Sequence, residues 1–328
     1  MNKLIFFSAL IGLLSPATMQ AQILTNADIT PEMVKEYIAN RPKKENWENP
    51  TGPYRVEMEY NQHLLSHTIY RPANLDEISS QNRMPVVLMS GPGCDCDGDS
   101  FRPFYTQIAS YGYVVVVAGP PVPDGVRAEL WHNTPEDLLA GLDFILNENQ
   151  RPESAYYGKI DNKKVALFGQ SCGGIQCLRM ADDPRVSTLV FWNSGSTLMG
   201  NVGPTDNTKR IGTPYELMGT RDVQQLVCSL SIPIAYFIGD TDMAIHAAEK
   251  DFQQITKAPV FFAVRHIAGD SHAGTFREKN GGAFGQVAVN YLNCLFKNDP
   301  KAAQVFQGNP TPLAEDKDWV TVKKKNWK

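Results

Sequence analysis

The chain has 328 residues, 42% of them hydrophobic, and a net charge of −4 from 31 basic and 35 acidic side chains. That apolar share is ample for a packed core, and the acidic balance offers no basic footprint for nucleic acid, so no nucleic-acid partner is expected. The length allows one large domain or two ordinary ones.

Met1-Asn2-Lys3 carries a positive charge, residues 4–14 form an apolar run, and Pro16 and Ala21 supply a breaker and a small residue. This order predicts a secretory signal peptide over residues 1–21, and hence a secreted or periplasmic protein. The run is shorter than the roughly 20 apolar residues a bilayer span requires. No later stretch is apolar enough to cross a membrane, so no membrane span is expected in the mature chain. Residues 22–50 are polar, with a short helical stretch near 31–40, and read as an N-terminal arm. Residues 51–328 read as one catalytic domain.

From Tyr54 the text changes to strands. Residues 54–60 and 64–70 flank the turn-like Asn61-Gln62, which predicts an antiparallel hairpin. Further strand-like runs cover 84–90, 113–118, 164–168, 188–192, 232–238 and 260–264. They are rich in Val, Ile, Leu and Phe with little polar alternation, the pattern of strands buried on both faces. Helical patterns lie between them at 101–110, 134–147, 173–181, 244–254 and 284–296. Thr134-Pro135-Glu136-Asp137 opens one with a cap residue, a proline and acids. Alternating strands and helices imply an α/β fold, with a mostly parallel central sheet, helices on both faces and the antiparallel hairpin at one edge. Residues 196–228 break the rhythm with a Gly-, Thr- and Asn-rich stretch of the length found in functional lids or disordered insertions. Lys323-Lys324-Lys325 reads as a solvated tail.

Six cysteines stand at 94, 96, 172, 177, 228 and 294. Neither Cys94-x-Cys96 nor Cys172-(x4)-Cys177 has the spacing and nearby histidine of a zinc site, so disulfides or buried thiols are expected and no metal or cofactor.

The chemistry concentrates where residues 164–168 run into Gly169-Gln170-Ser171-Cys172-Gly173 and then a helical pattern. This is G-x-S-x-G in a strand, sharp turn and helix. Such a turn projects the serine hydroxyl above the sheet, and its glycines avoid collision with the neighbouring strand and helix. The N–H of Cys172, at the helix start, is a candidate donor to an oxyanion. A nucleophilic serine needs a base and an orienting acid. The strand at 232–238 leads into Gly239-Asp240-Thr241-Asp242, where two carboxylates are available; the spacing favours Asp242, leaving Asp240 to cap the following turn. Beyond the last strand, His272 sits in the polar loop Gly269-Asp270-Ser271-His272-Ala273-Gly274, whereas His266 adjoins the strand and reads as packing beside it. His246 reads as a surface helix position, and nothing marks His63, His67 or His132. Met84 to Ser90 ends in Gly91-Pro92-Gly93-Cys94, which suits a second oxyanion donor from the N–H of Cys94, with Gly93 next. Two N–H groups aimed at one oxygen also bring their Cα atoms within the ~7 Å reach of a disulfide, so a Cys94–Cys172 bridge is an expectation.

The order Ser171, Asp242, His272 resembles the α/β-hydrolase fold. Residues 54–306 resemble secreted bacterial dienelactone hydrolases and cutinase-like polyester hydrolases, through Ala109-Ser110-Tyr111-Gly112-Tyr113-Val114-Val115, Tyr157-Gly158-Lys159-Ile160-Asp161, Asp183-Pro184-Arg185-Val186 and Gly281-Gly282-Ala283-Phe284. The resemblance implies a triad of Ser171, Asp242 and His272, with oxyanion donors at Cys94 and Cys172. Two departures stand out: dienelactone hydrolases use a cysteine nucleophile, and polyester hydrolases place aromatic and methionine side chains where this chain has cysteines. Trp192-Asn193-Ser194 either lines the cleft or, for Trp192, joins the core. The expected activity is hydrolysis of a small-molecule or polymeric carboxylic ester. An amidase or peptidase on the same triad, and a catalytically silent binding protein of the same fold, are the alternatives.

Overall fold

A computed structural model describes residues 49–94, 98–121, 134–198 and 222–327. The predicted signal peptide, nearly all of the expected arm, Cys96 and His132 lie outside the described residues, as do the Cys94 side chain and residues 199–221.

Among the described residues, nine strands form one sheet: β1 (Val56–Glu59), β2 (His67–Pro72), β3 (Met84–Ser90), β4 (Val114–Ala118), β5 (Ile160–Gln170), β6 (Thr188–Trp192), β7 (Ile234–Gly239), β8 (Val260–Arg265) and β9 (Thr321–Lys325). Their spatial order is β1-β2-β4-β3-β5-β6-β7-β8-β9. The six strands from β4 across to β8 pair in parallel. The pairings β1–β2, β2–β4 and β8–β9 are antiparallel. The hairpin therefore sits at one edge, although its register, Val56 opposite Pro72 and Glu59 opposite Ile69, leaves a longer connection than the two-residue turn expected.

Among the described residues, seven α-helices complete the fold: α1 (Arg102–Ala109), α2 (Pro135–Glu148), α3 (Cys172–Met180), α4 (Val223–Ser229), α5 (Ile245–Gln254), α6 (Gly282–Lys297) and α7 (Pro300–Gln304). Strand alternation sorts the core into two layers. Val86, Leu88, Val114, Val116, Val165, Leu167, Leu189 and Phe191 pack against Leu138 and Leu142 of α2, Ile175 and Leu178 of α3, and Leu226 of α4. Their neighbours Val87, Met89, Val115, Val117, Phe168, Val190 and Trp192 face Phe104 and Ile108 of α1 and Phe284 and Leu292 of α6. Every residue of β3, β4 and β6 is buried. The sheet is thus covered on both sides, which is why its strands read as unbroken apolar runs. The start of α2 is held as its sequence indicates: Thr134 Oγ1 accepts from Asp137 N–H at 3.3 Å, and Asp137 accepts from Thr134 N–H at 2.8 Å.

Two expectations change. The lysine run is not a solvated tail but edge strand β9: Lys323 lies over the Phe262 ring and Lys325 over that of Phe252. Lysine blunts an exposed sheet edge while its apolar stem covers the rings beneath. The C-terminal part of the 196–228 stretch is helix α4, capped by Asp222, whose carboxylate accepts the N–H groups of Gln224 and Gln225. Among the described residues, no helix is long and apolar enough to cross a membrane, and no group of His, Cys, Asp and Glu could hold a metal ion.

Candidate active site

Parallel pairing of β5, β6, β7 and β8 aligns their C-terminal ends along one rim, so the residues just beyond each strand become neighbours. Ser171 follows β5. Its backbone (φ 53°, ψ −123°) is a conformation that L side chains rarely adopt, at a cost of order 1–3 kcal/mol that the surroundings must offset. The turn is packed from both sides. A Cβ on Gly169 would lie 2.4 Å from Gly173 O, and one on Gly173 would lie 2.2 Å from Ser90 O at the end of β3. Gly173 N–H donates to Gly91 O at 3.1 Å, tying the turn to the loop that follows β3.

The structure brings Ser171, Asp242 and His272 together. His272 Nε2 is 2.9 Å from Ser171 Oγ, and His272 Nδ1 is 2.7 Å from Asp242 Oδ2. With Nδ1–H donating to the carboxylate, Nε2 is left to accept from the serine hydroxyl. The Asp242 side chain is fully buried and that of His272 is 28% exposed, so the open edge of the group is the serine–imidazole edge. Asp242 is held from its other oxygen by Ala244 N–H at 2.6 Å. The bond to Asp242 raises the His272 pKa above its ordinary value of 6.5, against the opposing effect of burial.

Asp240 and His266 form a second pair beside the first. His266 Nδ1 is 2.6 Å from Asp240 Oδ2, and the imidazole is 61% exposed. Asp240 also accepts from Ile267 N–H and Ser271 Oγ, each at 3.2 Å. Burial opposes its ionisation, but these bonds outweigh it and hold the carboxyl below the usual range; the same contact raises His266. Asp240 therefore braces the His272 loop rather than capping the turn after β7, and His266 faces solvent instead of packing on its strand. His246 and His63 are exposed. His67 is buried, with Nε2 2.8 Å from Asp137 O.

One candidate oxyanion donor follows the serine directly and the other lies in the loop after β3. Cys172 is the first residue of α3, and Cys94 ends a short 3₁₀ turn, Pro92–Cys94, in the loop joined to Gly173. Cys172 is disulfide-bonded, its partner lying outside the described side chains. Cys177, Cys228 and Cys294 are free thiols, so the even count does not translate into three bridges. Burial pushes the Cys177 thiol well up, making it inert packing that donates to Phe168 O at 3.3 Å.

Sequence reading placed Asn193 and Ser194 at the cleft but missed how they and Gln170 hold this arrangement. Asn193 follows β6, between β5 and β7, and is fully buried at φ 45°. Its Nδ2 donates to Ser271 O at 2.9 Å and His272 O at 3.0 Å, while Oδ1 accepts Gly239 N–H at 2.8 Å. Gln170 Nε2 donates to the same His272 O at 2.9 Å, and Ser194 Oγ donates to Ser171 O at 2.6 Å. One amide thus joins the ends of three strands. An asparagine ending an apolar strand was the available signal, because Asn tolerates positive φ better than most residues. Trp192 is core, wholly buried and 4.9 Å from the Phe237 ring between centroids. Met243, next to Asp242, is 71% exposed.

No protein-family model matches the chain. It is 25% identical over 158 residues to a Penicillium oxalicum protein described as the hydrolyase poxO, a match that spans 46% of this chain and 36% of that protein.

Proposed function

We propose that the protein is a serine hydrolase of the α/β-hydrolase fold that cleaves carboxylic esters through an acyl-enzyme intermediate. The observation that carries this reading is the continuous chain from Ser171 Oγ through His272 to the buried Asp242, at 2.9 and 2.7 Å. In the proposed mechanism His272 Nε2 takes the Ser171 proton as the hydroxyl attacks the ester carbonyl. Asp242 keeps the imidazole oriented and stabilises the imidazolium that forms. The N–H groups of Cys94 and Cys172 receive the oxyanion, with a Cys94–Cys172 disulfide beneath them. His272 returns its proton to the departing alkoxide, and a water molecule activated by the same imidazole releases the acid. The fungal relative's description supplies a second class, the hydrolyases; a reaction of that kind needs no acyl-enzyme.

Esters of p-nitrophenol with graded acyl chains, assayed beside the matching anilides, test the reading. Ester hydrolysis is expected to dominate, and turnover of the anilides alone would replace it with the amidase alternative. The pH profile adds a signed prediction. His272 acts only when neutral, and its pKa is raised, so kcat/KM should fall as pH drops through a midpoint above the ordinary histidine value of 6.5. Asp242→Asn removes the cause of the shift: the midpoint should move to lower pH, and kcat should drop by about 10⁴. An unmoved midpoint would detach the limb from His272.

A further inference from the structure

Asp251 on α5 takes no part in the chemistry above, yet its side chain is completely buried at the back of the site. Four donors converge on its carboxylate. Ser196 N–H reaches Oδ2 at 2.7 Å and the Ser196 hydroxyl reaches Oδ1 at 2.5 Å. Gln224 Nε2 of α4 donates to Oδ1 at 3.0 Å, and Tyr236 OH of β7 donates to Oδ2 at 3.2 Å. Burial raises the carboxyl's pKa, against the pull of these donors. Removing a carboxylate from water costs several kcal/mol, and packing alone could be met by an apolar side chain of similar volume. What an apolar side chain could not do is hold Ser196.

Ser196 ends the same short turn that supports the reacting groups. Two residues earlier, Ser194 Oγ is bonded to Ser171 O, and one before that, Asn193 is bonded to His272 O. Gly195 between them lies so close to α5 that a Cβ would sit 2.7 Å from Ala248 N. The turn therefore has little room to move, and its far end is fixed by one side chain.

We infer that Asp251 is a positioning residue: by anchoring Ser196 it sets the 193–196 turn, and through Asn193 and Ser194 it holds Ser171 and His272 at reacting distance. The inference rests on the serine-hydrolase reading. It also makes a chemical distinction between substitutions. In Asp251→Asn the carbonyl can replace Oδ2 and still accept from Ser196 N–H and Tyr236 OH. The new amide can then donate to Ser196 Oγ and to Gln224 Oε1, which has no partner among the described residues, once the Gln224 amide turns over. Shape and bonding survive and only the charge is lost. Asp251→Ala removes every acceptor at once.

The experiment measures the second-order rate of Ser171 labelling by a fluorophosphonate, together with kcat and KM on a p-nitrophenyl ester, at a temperature where circular dichroism shows each variant folded. Asp251→Ala should label about 10- to 100-fold more slowly, the range a misplacement near 1 Å produces, with kcat falling and KM within about twofold. Asp251→Asn should stay within about threefold of wild type. Ser196→Ala, which keeps the backbone donor, should fall between them, and it stands in if Asp251→Ala does not fold. Wild-type labelling rates in folded Asp251→Ala or in Ser196→Ala would overturn the assignment, as would Asp251→Asn falling as far as Asp251→Ala. Failure of the underlying reading would look different: wild-type protein itself would not label.

Discussion

Replacing Ser171 by alanine is expected to lower kcat for ester hydrolysis by about 10⁶, the scale reached when one member of a serine triad is removed. The substitution takes away a single oxygen whose bond is to His272 Nε2 at 2.9 Å. His272 keeps its bond to Asp242, and its loop keeps the bonds from Asn193 and Gln170. The fold should therefore survive, with an unfolding midpoint in denaturant close to that of wild type. A large loss of turnover with unchanged stability separates lost chemistry from lost structure. The residual rate over water, of order 10³ to 10⁴, would measure what the oxyanion donors contribute without the nucleophile. Undiminished turnover in the alanine variant would place the reaction on another group.

Gly173→Ala is expected to act through stability, and strongly. Its new methyl carbon would be 2.2 Å from Ser90 O and 2.6 Å from Gly91 O, both backbone atoms. Neither can swing aside as the end of a flexible side chain would. The clash also falls on the residue whose N–H ties the Ser171 turn to the loop after β3. Either α3 shifts away from β3 or the loop carrying Cys94 is displaced, and both separate the two candidate oxyanion donors. A destabilisation of about 3 kcal/mol or more should result, as overpacking in a rigid site produces. Whatever folds should be impaired in kcat by about 10²-fold, the cost of losing one oxyanion donor. Chemical denaturation followed by tryptophan fluorescence, beside single-turnover kinetics, would check both effects. Wild-type stability would show that this close approach is not a constraint on the fold.

What could be read from sequence was set by local pattern, and what could not was set by distance. The parallel strands announced themselves because both of their faces are buried, so that 114–118 is four valines and an alanine with no polar break. The serine turn was legible because its steric demands fall on adjacent residues, and the glycines at 169 and 173 record them directly. The acid and the histidine were harder, since each had a competitor. The sequence Gly239-Asp240-Thr241-Asp242 presents two carboxylates, and the segment after β8 presents two imidazoles. The structure pairs them separately, Asp240 with His266 and Asp242 with His272; spacing and the polar loop singled out the pair at the serine, whereas the partnership of the other two, and its bracing of the His272 loop, left no local mark. The bracing role of Asn193, named only as a cleft candidate, and the whole of Asp251's were invisible for a related reason. Their partners lie 46 to 79 residues away for Asn193 and 15 to 55 for Asp251, and only strand order brings them into contact. Edge strand β9 was missed because a lysine run resembles a solvated tail until the rings of Phe252 and Phe262 are placed beneath it.

Trapping the covalent intermediate tests the central claim most directly. Acid quench of the protein during turnover of a slow p-nitrophenyl ester, followed by peptide mass spectrometry, should find one acyl group, carried on the peptide that contains Ser171. That adduct should vanish in Ser171→Ala and persist longer in His272→Ala after labelling with an activated acyl donor. Steady ester turnover with no acylated peptide, or with the acyl group on a different residue, would contradict the account.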